Sequence, residues 1–521
     1  MVRIEKKSLL FICLLGFSIM LAFNPTSSSA APAKGEVVYA TSAPNFYQVG
    51  GDSATHVSGF PFLARTIFDS LIYVDQRGDK LLPGLAKSWK IAPDWKTIDF
   101  TLRNDVTFHN GDKFTAEDVK FSMDTYLRKD LKYLFTPLWS RTIEKVEVVG
   151  PYQVRFHLRA ADPGLLGRLW WSTGMMPKKY REQVGDKGFA DKPVGTGPFK
   201  WVEYKQDVYW KVEAVKKHFR HTPAIKTFKM LYVPEHSTRL AMLKAGEVDI
   251  TELIGPHAME AKNDPNLKIE LCKYPTLTAI TFADLTFPKD SSPFHDIRVR
   301  EAASLAIDRE GITKKVLFGM SEPYGDFCSP VTMGHDPSIK PDPYNPERAK
   351  KLLAEAGYPK GFETVFTTTS TSRYWVEAIT SNLGEVGIKA KIEVMEGGAY
   401  TAGFVGKKFR GLLAQALWVH AEQSASADAN DYFVSYMPFC YNTTPEIQKA
   451  IIDGAGAIAD DDLKAVGIKI SKAIRESRNK ALLWANHVPY GLGSRVEFWK
   501  PEVGASPPAG YETIRLKKQY Q

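Results

Sequence analysis

Cysteine is scarce in this chain, with four residues in 521, at positions 13, 272, 328 and 440. None of them has the paired spacing of a zinc site. In an oxidising compartment the last three could form one disulfide and leave one thiol over. They could equally be three isolated small hydrophobic side chains. The sequence leaves both alternatives open and predicts no cysteine-based metal site.

Enzyme signatures are also lacking. The chain has no Gly-x-Ser-x-Gly elbow, no Walker loop and no His-Glu-x-x-His motif, and its eleven histidines are scattered. Gly195-Thr196-Gly197 begins like a dinucleotide fingerprint, but Pro198 prevents a helix from starting there. We therefore expect a protein that is not an enzyme and that has no cofactor or bound metal. The two glycines and two prolines of 193–199 instead predict a tight crossing between lobes.

Charge is not concentrated in tracts. The net charge is +9, and Lys and Arg are spread along the whole sequence. An even excess of this size is weak evidence for nucleic acid, so no nucleic-acid partner is expected.

Long apolar runs are absent after the N-terminus. The one present, 9–23, follows Arg3, Lys6 and Lys7 and precedes small residues that end at Ala30 and Ala33. About fifteen apolar residues are short for a bilayer span, which needs roughly twenty. The order of charged, apolar and small-residue regions predicts a cleavable signal peptide, residues 1–30, and a periplasmic mature protein.

The remaining chain has the pattern of a mixed α/β protein, because strand and helix signals alternate along it. Residues 35–40 predict a strand, and the apolar spacing of 65–73 predicts a helix. A second helix should begin after Thr115, with Asp118 completing a capping box. A third is predicted over 346–356, between an Asn N-cap and Gly357. Roughly 490 mature residues exceed one hydrophobic core, so two or more lobes are expected.

Several ordered blocks resemble the bacterial extracellular solute-binding proteins of family 5, the peptide- and nickel-type receptors of ABC importers. The resemblance covers nearly the whole mature chain. The blocks that carry it are Phe68-Asp69-Ser70-Leu71-Ile72-Tyr73, Leu82-Pro83-Gly84-Leu85-Ala86-Lys87-Ser88-Trp89, 100–119, Gly195-Thr196-Gly197-Pro198-Phe199, Gly246-Glu247-Val248-Asp249, 294–309 and 345–357.

The resemblance implies an α/β, two-lobe periplasmic-binding-protein fold of the Venus-flytrap type, with an extra subdomain in the first lobe. Ligand would bind between the lobes, which close over it by hinge motion. The implied boundaries are 34–70, 191–282 and 491–521 for lobe I, 71–190 for the extra subdomain, and 283–490 for lobe II.

Five ligand-binding residues follow from the same resemblance. In peptide receptors a Trp and a later acidic stretch supply an aromatic wall and a carboxylate for the ligand's ammonium; here these are Trp418 and Asp428. Asp428 could instead cap a nearby helix. Arg373 falls a few positions after the place of the arginine that binds carboxylate in dipeptide receptors, where this chain has a hydroxyl-rich run, 367–372. Phe46 and Tyr47 occupy a loop that lines the cleft in relatives, or they pack against lobe I.

The function implied is capture of a small polar, peptide-like ligand and its delivery to the permease subunits of an ABC importer, by a monomeric receptor. The departure at 367–372 puts a strict dipeptide ligand in doubt. A nickel chelate, an oligosaccharide or an opine is the alternative ligand, and a chemosensory binding module is the alternative role.

Overall fold

The computed structural model describes most of the chain after the N-terminal segment. The described residues are 32, 34–41, 65–74, 81–130, 136–159, 162, 164–205, 208–330, 332, 334–418, 429, 432–435, 440–454, 460–501 and 510–521.

Nineteen strands lie in these ranges. In chain order they are β1 Glu36–Thr41, β2 Ile72–Val74, β3 Leu81–Pro83, β4 Ala86–Ile91, β5 Thr97–Leu102, β6 Ile143–Gly150, β7 Gln153–Leu158, β8 Phe199–Lys205, β9 Tyr209–Ala214, β10 Thr227–Tyr232, β11 Ile250–Glu252, β12 Lys268–Phe282, β13 Ser321–Pro323, β14 Phe362–Thr369, β15 Ile388–Met395, β16 Leu412–Trp418, β17 Lys480–Leu492, β18 Val496–Phe498 and β19 Arg515–Leu516.

Thirteen α-helices accompany them in the same ranges. They are α1 Ala116–Tyr126, α2 Thr136–Thr142, α3 Leu165–Ser172, α4 Lys178–Asp191, α5 His236–Ala245, α6 Gly255–Lys262, α7 Ile297–Leu305, α8 Arg309–Lys315, α9 Pro346–Glu355, α10 Arg373–Glu385, α11 Gly397–Val405, α12 Pro445–Gly454 and α13 Asp460–Ser477. The mixed α/β class expected from the sequence is confirmed.

One large sheet of eleven strands organises the molecule. Its order is β15-β14-β16-β12-β17-β11-β1-β10-β9-β8, and β13 adds to β17 beside this path. We call β11, β1, β10, β9 and β8 the lobe I sheet, and β15, β14 and β16 the lobe II sheet. The strands β12 and β17 lie between them and belong to both. A separate four-stranded sheet, β4-β5-β7-β6, lies in the segment predicted as the extra subdomain.

Two helices begin where their N-caps predict. The carboxylate of Asp118 accepts from the backbone N–H of Thr115 at 2.8 Å, which closes the capping box of α1. At α9 the side chain of Asn345 accepts from the N–H of Arg348 at 2.9 Å. Local hydrogen bonding fixes these ends, so short stretches of sequence suffice to place them.

The helix predicted over 65–73 is wrong beyond its first turn. Only 65–67 are helical, and a strand begins at Ile72. The N–H of Gly197 bonds to the carbonyl of Ile67 at 2.8 Å, and that of Ala86 bonds to Leu71 at 2.9 Å. Both Ile67 and Leu71 are completely buried. Pairing with distant backbone segments therefore outweighs the helical spacing of the apolar side chains.

The glycines at 195 and 197 allow this close approach. The segment 193–199 leads from α4 to β8, the edge strand of the lobe I sheet. A Cβ atom on Gly195 would lie 2.1 Å from the carbonyl oxygen of Ile67. Only glycine fits here, since the two backbones pass in direct contact.

The three cysteines of the described chain, Cys272, Cys328 and Cys440, are buried and form no disulfide with one another. Of the two alternatives, the structure therefore has three separate small buried side chains. Within the described ranges, no helix combines the length and the apolar character needed to cross a membrane.

Candidate functional site

The two long central strands connect the two parts of the large sheet. Residues 268–273 of β12 pair with 487–492 of β17 beside the lobe I sheet, and residues 277–281 pair with 480–485 beside the lobe II sheet. The register shifts between Lys273 and Leu277. The junction between the lobes therefore falls at 274–276 of β12 and near Asn486 of β17.

The strand directions turn the same edge of each half-sheet toward this junction. β1, β10 and β11 are parallel, and Glu252 at the end of β11 pairs with Tyr490, so their carboxyl ends lie toward the junction. β14, β15 and β16 are also parallel, and Trp418 at the end of β16 pairs with Thr276. The carboxyl edges of two parallel sheets thus face each other, and ligands of open α/β sheets bind outside such edges.

The separation of the edges can be estimated along β17. Glu252 is level with Tyr490, whereas Trp418 is level with Thr276, whose hydroxyl accepts from Asn486 at 2.8 Å. Four residue steps separate positions 490 and 486, which is about 13 Å at roughly 3.3 Å per residue. This spacing suits an extended solute lying between the edges. We call the space between them the interlobe cleft.

Hydrogen bonds across three strands hold the junction. The side-chain amide of Asn486 donates to the hydroxyls of Thr276 and Thr278 at 2.8 and 2.9 Å, and its oxygen accepts from Ser321 of β13 at 3.3 Å. Tyr274 has a positive φ of 56°, which is strained for an aromatic residue. Backbone strain at a lobe junction is consistent with a point at which the chain bends.

The lobe I edge carries a fixed carboxylate. Glu252 accepts from the hydroxyl of Tyr39 at 2.7 Å and from that of Thr41 at 3.1 Å. Burial, and then the charge of Glu252, raise the pKa of Tyr39 well above its ordinary value, so this phenol stays a donor. Arg239 lies 3.9 Å from the same carboxylate and is fully buried.

The lobe II edge is rich in hydroxyl groups. Thr369 ends β14, and its hydroxyl lies 2.9 Å from that of Thr371. Arg373 begins α10 directly after this run, which puts it at the cleft-facing edge. Its guanidinium is exposed and donates to Glu377 on the same helix at 2.7 Å. A ligand would have to compete with that exposed ion pair, which is weak in water. A ligand role for Arg373 stays a prediction.

The other four candidate residues are at or beyond the described edges. Trp418 is the last residue of β16, and its backbone pairs with Thr276 at the junction. Phe46, Tyr47 and Asp428 lie outside the described residues. The segments that contain them follow Thr41 and Trp418, which end β1 and β16 at the two facing edges.

Sequence reasoning missed Glu252 and Asn486. Each lies level with a residue more than 150 positions away in the sequence, and no local pattern reveals such pairing. The one available signal was that Glu252 lies three positions after the Gly246-Glu247-Val248-Asp249 block, where a short strand should end.

A groove of about 800 Å³ lies elsewhere, between the extra subdomain and the edge strand β8. We call it the β8 groove; its lining includes His109, Tyr180, Trp201 and Tyr204. His109 already forms a hydrogen bond within the fold, since its Nε2 lies 3.0 Å from the carbonyl oxygen of Gly197. The β8 groove is on the far edge of the lobe I sheet and does not belong to the cleft. Among the described residues, no group of three or more His, Cys, Asp or Glu side chains could hold a metal ion.

Comparison with known proteins decides the family. Residues 80–436 match the family model "Bacterial extracellular solute-binding proteins, family 5 Middle", which is more than half of the chain. The chain belongs to this family. The family consists of solute-binding proteins and not of enzymes. The resemblance seen in the ordered sequence blocks is confirmed.

Individual relatives agree with this assignment. The solute-binding protein is 29% identical over 384 residues to di/tripeptide-binding protein 1 of Pseudomonas aeruginosa, covering 67% of this chain and 70% of that protein. Its fold is similar to that of a periplasmic binding protein, DppA of Helicobacter pylori, solved with the peptide STSA. That match has a TM-score of 0.82 and 23% identity, over 93% of this chain and 98% of the other.

A third similarity is to NikZ of Campylobacter jejuni, solved with Ni(L-His), with a TM-score of 0.79 and 21% identity over 94% and 99% of the two chains. The two-lobe fold of the solute-binding protein is therefore confirmed. The domain boundaries drawn from the sequence stay predictions.

Proposed function

We propose that this solute-binding protein captures a peptide-like solute in the interlobe cleft and presents it to the permease of an ABC importer. The observation that carries the proposal is the pair of facing carboxyl edges, joined by two continuous strands. A solute between these edges touches both lobes at once, so its binding energy favours the closed arrangement. A receptor that closes around its solute can present a distinct shape to a membrane partner.

The choice of a peptide-like solute rests on the relatives and on the chemistry of the edges. The sequence identity to the di/tripeptide-binding relative extends over most of that protein's length. The cleft edges offer hydroxyl donors and acceptors at Thr369 and Thr371 and a fixed carboxylate at Glu252, groups that suit amides and ammonium. Phe46, Tyr47, Trp418, Asp428 and Arg373 remain the proposed ligand contacts from the loops.

A nickel chelate is the second candidate, because the fold is also shared with NikZ. A thermal-shift screen against tripeptides and tetrapeptides, nickel–histidine, oligosaccharides and opines would separate these classes. We expect peptides to raise the melting temperature in proportion to ln(1 + [L]/Kd) and the others to leave it unchanged. Stabilisation only by a non-peptide class would overturn the peptide assignment and leave the receptor class intact.

The proposal also covers export of the receptor to the periplasm, its binding to a permease and its monomeric state. The predicted signal peptide, residues 1–30, would place the mature receptor in the periplasm, and we propose that it acts there as a monomer. Binding of the closed, ligand-loaded receptor to permease subunits in reconstituted membranes would support transport. Docking only on a chemoreceptor would favour the sensory role.

Asp428→Asn should weaken an ammonium-bearing peptide by about 1.5–3 kcal/mol, because the charge-assisted contact is lost. Asparagine is as good an N-cap as aspartate, so the melting temperature of the ligand-free protein should barely move. Calorimetric titration of both proteins measures the difference in affinity. Asp461→Asn, at a fully exposed carboxylate, is the matched control. Unchanged affinity in Asp428→Asn would show that Asp428 is not a ligand contact.

A further inference from the structure

The turn 317–320, between α8 and β13, lies opposite the carboxyl end of β11. Along both lobes β12 occupies one edge of β17. On the other edge β11 pairs with 490–492 and β13 pairs with 484–486. The two short strands therefore lie end to end along β17, with only positions 487–489 between them. The chain that enters β13 meets the chain that leaves β11 at the lobe junction.

This turn contacts both lobes. The N–H of His487 in β17 donates to the carbonyl of Met320 at 2.9 Å. The N–H of Leu253, just after β11, donates to the carbonyl of Pro489 at 2.8 Å. Met320 packs against the apolar cluster of α5 and α6 in lobe I, whereas Leu317 is buried in the core of lobe II.

Phe318 lies between these two anchored residues, and its side chain is exposed. It retains 41% of its accessible surface. Part of the ring rests against the first residue of α6, since a Cβ atom on Gly255 would lie 2.8 Å from the ring atom Cδ2. Gly255 comes three positions after the end of β11, so the ring lies just beyond the carboxyl edge of the lobe I sheet. This is the side of the sheet that borders the interlobe cleft.

The backbone of Phe318 is strained. A single exposed ring is ordinary on a protein surface, but this one has a φ of 54°, in the left-handed region that favours glycine. The N–H of Gly319 donates to the carbonyl of Thr313 at 2.9 Å, which fixes the turn in this conformation. Strain of this kind is concentrated at positions that hold ligands.

We infer that Phe318 is an apolar contact for one side chain of the solute and thereby determines which peptides the receptor prefers. The hydroxyls of Thr369 and Thr371 can bond to any peptide amide, so they do not select among side chains. An apolar side chain that packs on the exposed ring is removed from water, whereas a polar one gains nothing there. This inference rests on the proposed function, since it assigns a specificity-determining residue of the interlobe cleft.

The test uses trialanine and three tripeptides in which leucine replaces one alanine at a time. In the wild-type protein, leucine at one of the three positions should raise the affinity about five- to thirtyfold, the range expected when roughly 40–80 Å² of apolar surface leaves water. Phe318→Ala should remove most of this gain at that position and leave the other two positions unchanged. Calorimetric titration gives the gain as a ratio within one protein, so a change in overall stability or in lobe closure does not affect it. Alanine has a Cβ atom, as phenylalanine has, so the strain at positive φ is retained.

Two further variants make the result specific. Phe498→Ala should preserve the gain, because Phe498 is 39% exposed but lies in the separate sheet β18-β19, with its ring under the guanidinium of Arg515. Phe318→Leu keeps an apolar surface and should retain part of the gain.

Three results would overturn the inference while leaving peptide binding intact. They are a wild-type protein that binds trialanine with no gain from leucine at any position, a gain that survives in Phe318→Ala, and an equal loss for all four peptides in that variant. The last result would assign Phe318 to the contact between the lobes and not to the solute. If the wild-type protein binds no peptide, the proposed function is overturned together with the inference.

Discussion

Asp69→Asn is expected to lower the free energy of unfolding by about 3–5 kcal/mol, the cost of removing the central carboxylate from a buried ion-pair network in which Arg220 also pairs with Glu512. Asp69 is fully buried and accepts from Thr196 at 2.9 Å, from His218 at 3.0 Å and from Arg220 at 3.2 Å. Tyr73 donates to it as well. These partners belong to segments that lie up to about 150 positions from Asp69, so one carboxylate links parts of the chain that are remote in sequence. Chemical denaturation followed by circular dichroism measures the loss.

The pH dependence of the same group gives an independent check. Burial alone would raise the pKa of Asp69, but the charges of His218 and Arg220 and the hydrogen bonds lower it well below its usual range. Its contribution to stability is therefore complete above an unfolded-state pKa of about 3.9 and is lost on acidification below that value. Asp124→Asn, which breaks only an exposed pair with Lys120, should cost under about 0.5 kcal/mol. An equally small loss for Asp69→Asn would contradict the role given to Asp69.

The free energy of unfolding of the wild-type protein should rise by about 2–3 kcal/mol between pH 7 and pH 9, and Lys480→Met should abolish this rise. Lys480 is buried in lobe II, where its ammonium donates to Gln415 at 2.7 Å and to Thr281 at 2.9 Å. Burial lowers the pKa of Lys480 to about 7. Between pH 7 and about 10.4 the unfolded state therefore binds more protons than the folded state, and stability rises with pH. Each pH unit adds about 1.4 kcal/mol.

Urea unfolding of both proteins at pH 7 and at pH 9 measures this difference. Below pH 7 the wild-type protein carries the full cost of a buried charge, so methionine should be neutral or stabilising there. Lys449→Met is the control, because Lys449 is exposed and pairs only across a helix turn with Asp453. Parallel pH profiles for the wild-type protein and Lys480→Met would show that Lys480 stays charged in the fold.

Local signals were sufficient for the helix starts and for the first strand. The caps of α1 and α9 depend on neighbours within three residues, and the structure has them where the sequence predicts. The helix predicted over 65–73 is wrong beyond its first turn because the backbone of this segment bonds to Gly197 and Ala86, which no local pattern can identify. Apolar spacing describes which side chains are buried, whereas the partners of the backbone decide the secondary structure.

The interlobe cleft was likewise predictable only in part. The family resemblance predicted two lobes, and it directed attention to Trp418, which does end a strand at the lobe junction. Glu252 and Asn486 emerged only from strand register, since their neighbours Tyr490 and Thr276 are remote in sequence. Most of the proposed ligand contacts lie in loops beyond the strand ends and outside the family blocks, so the family signature identifies the scaffold more readily than the solute.

Hydrogen–deuterium exchange with and without a bound peptide tests the location of the solute most directly. Peptide should slow exchange at both cleft edges, in 250–257 of lobe I and in 366–373 of lobe II, because closure shields both strand ends. The β8 groove, covered by 191–204, should exchange at the same rate in both states. Protection confined to the β8 groove, with both edges unchanged, would contradict the claim that the solute is held between the lobes.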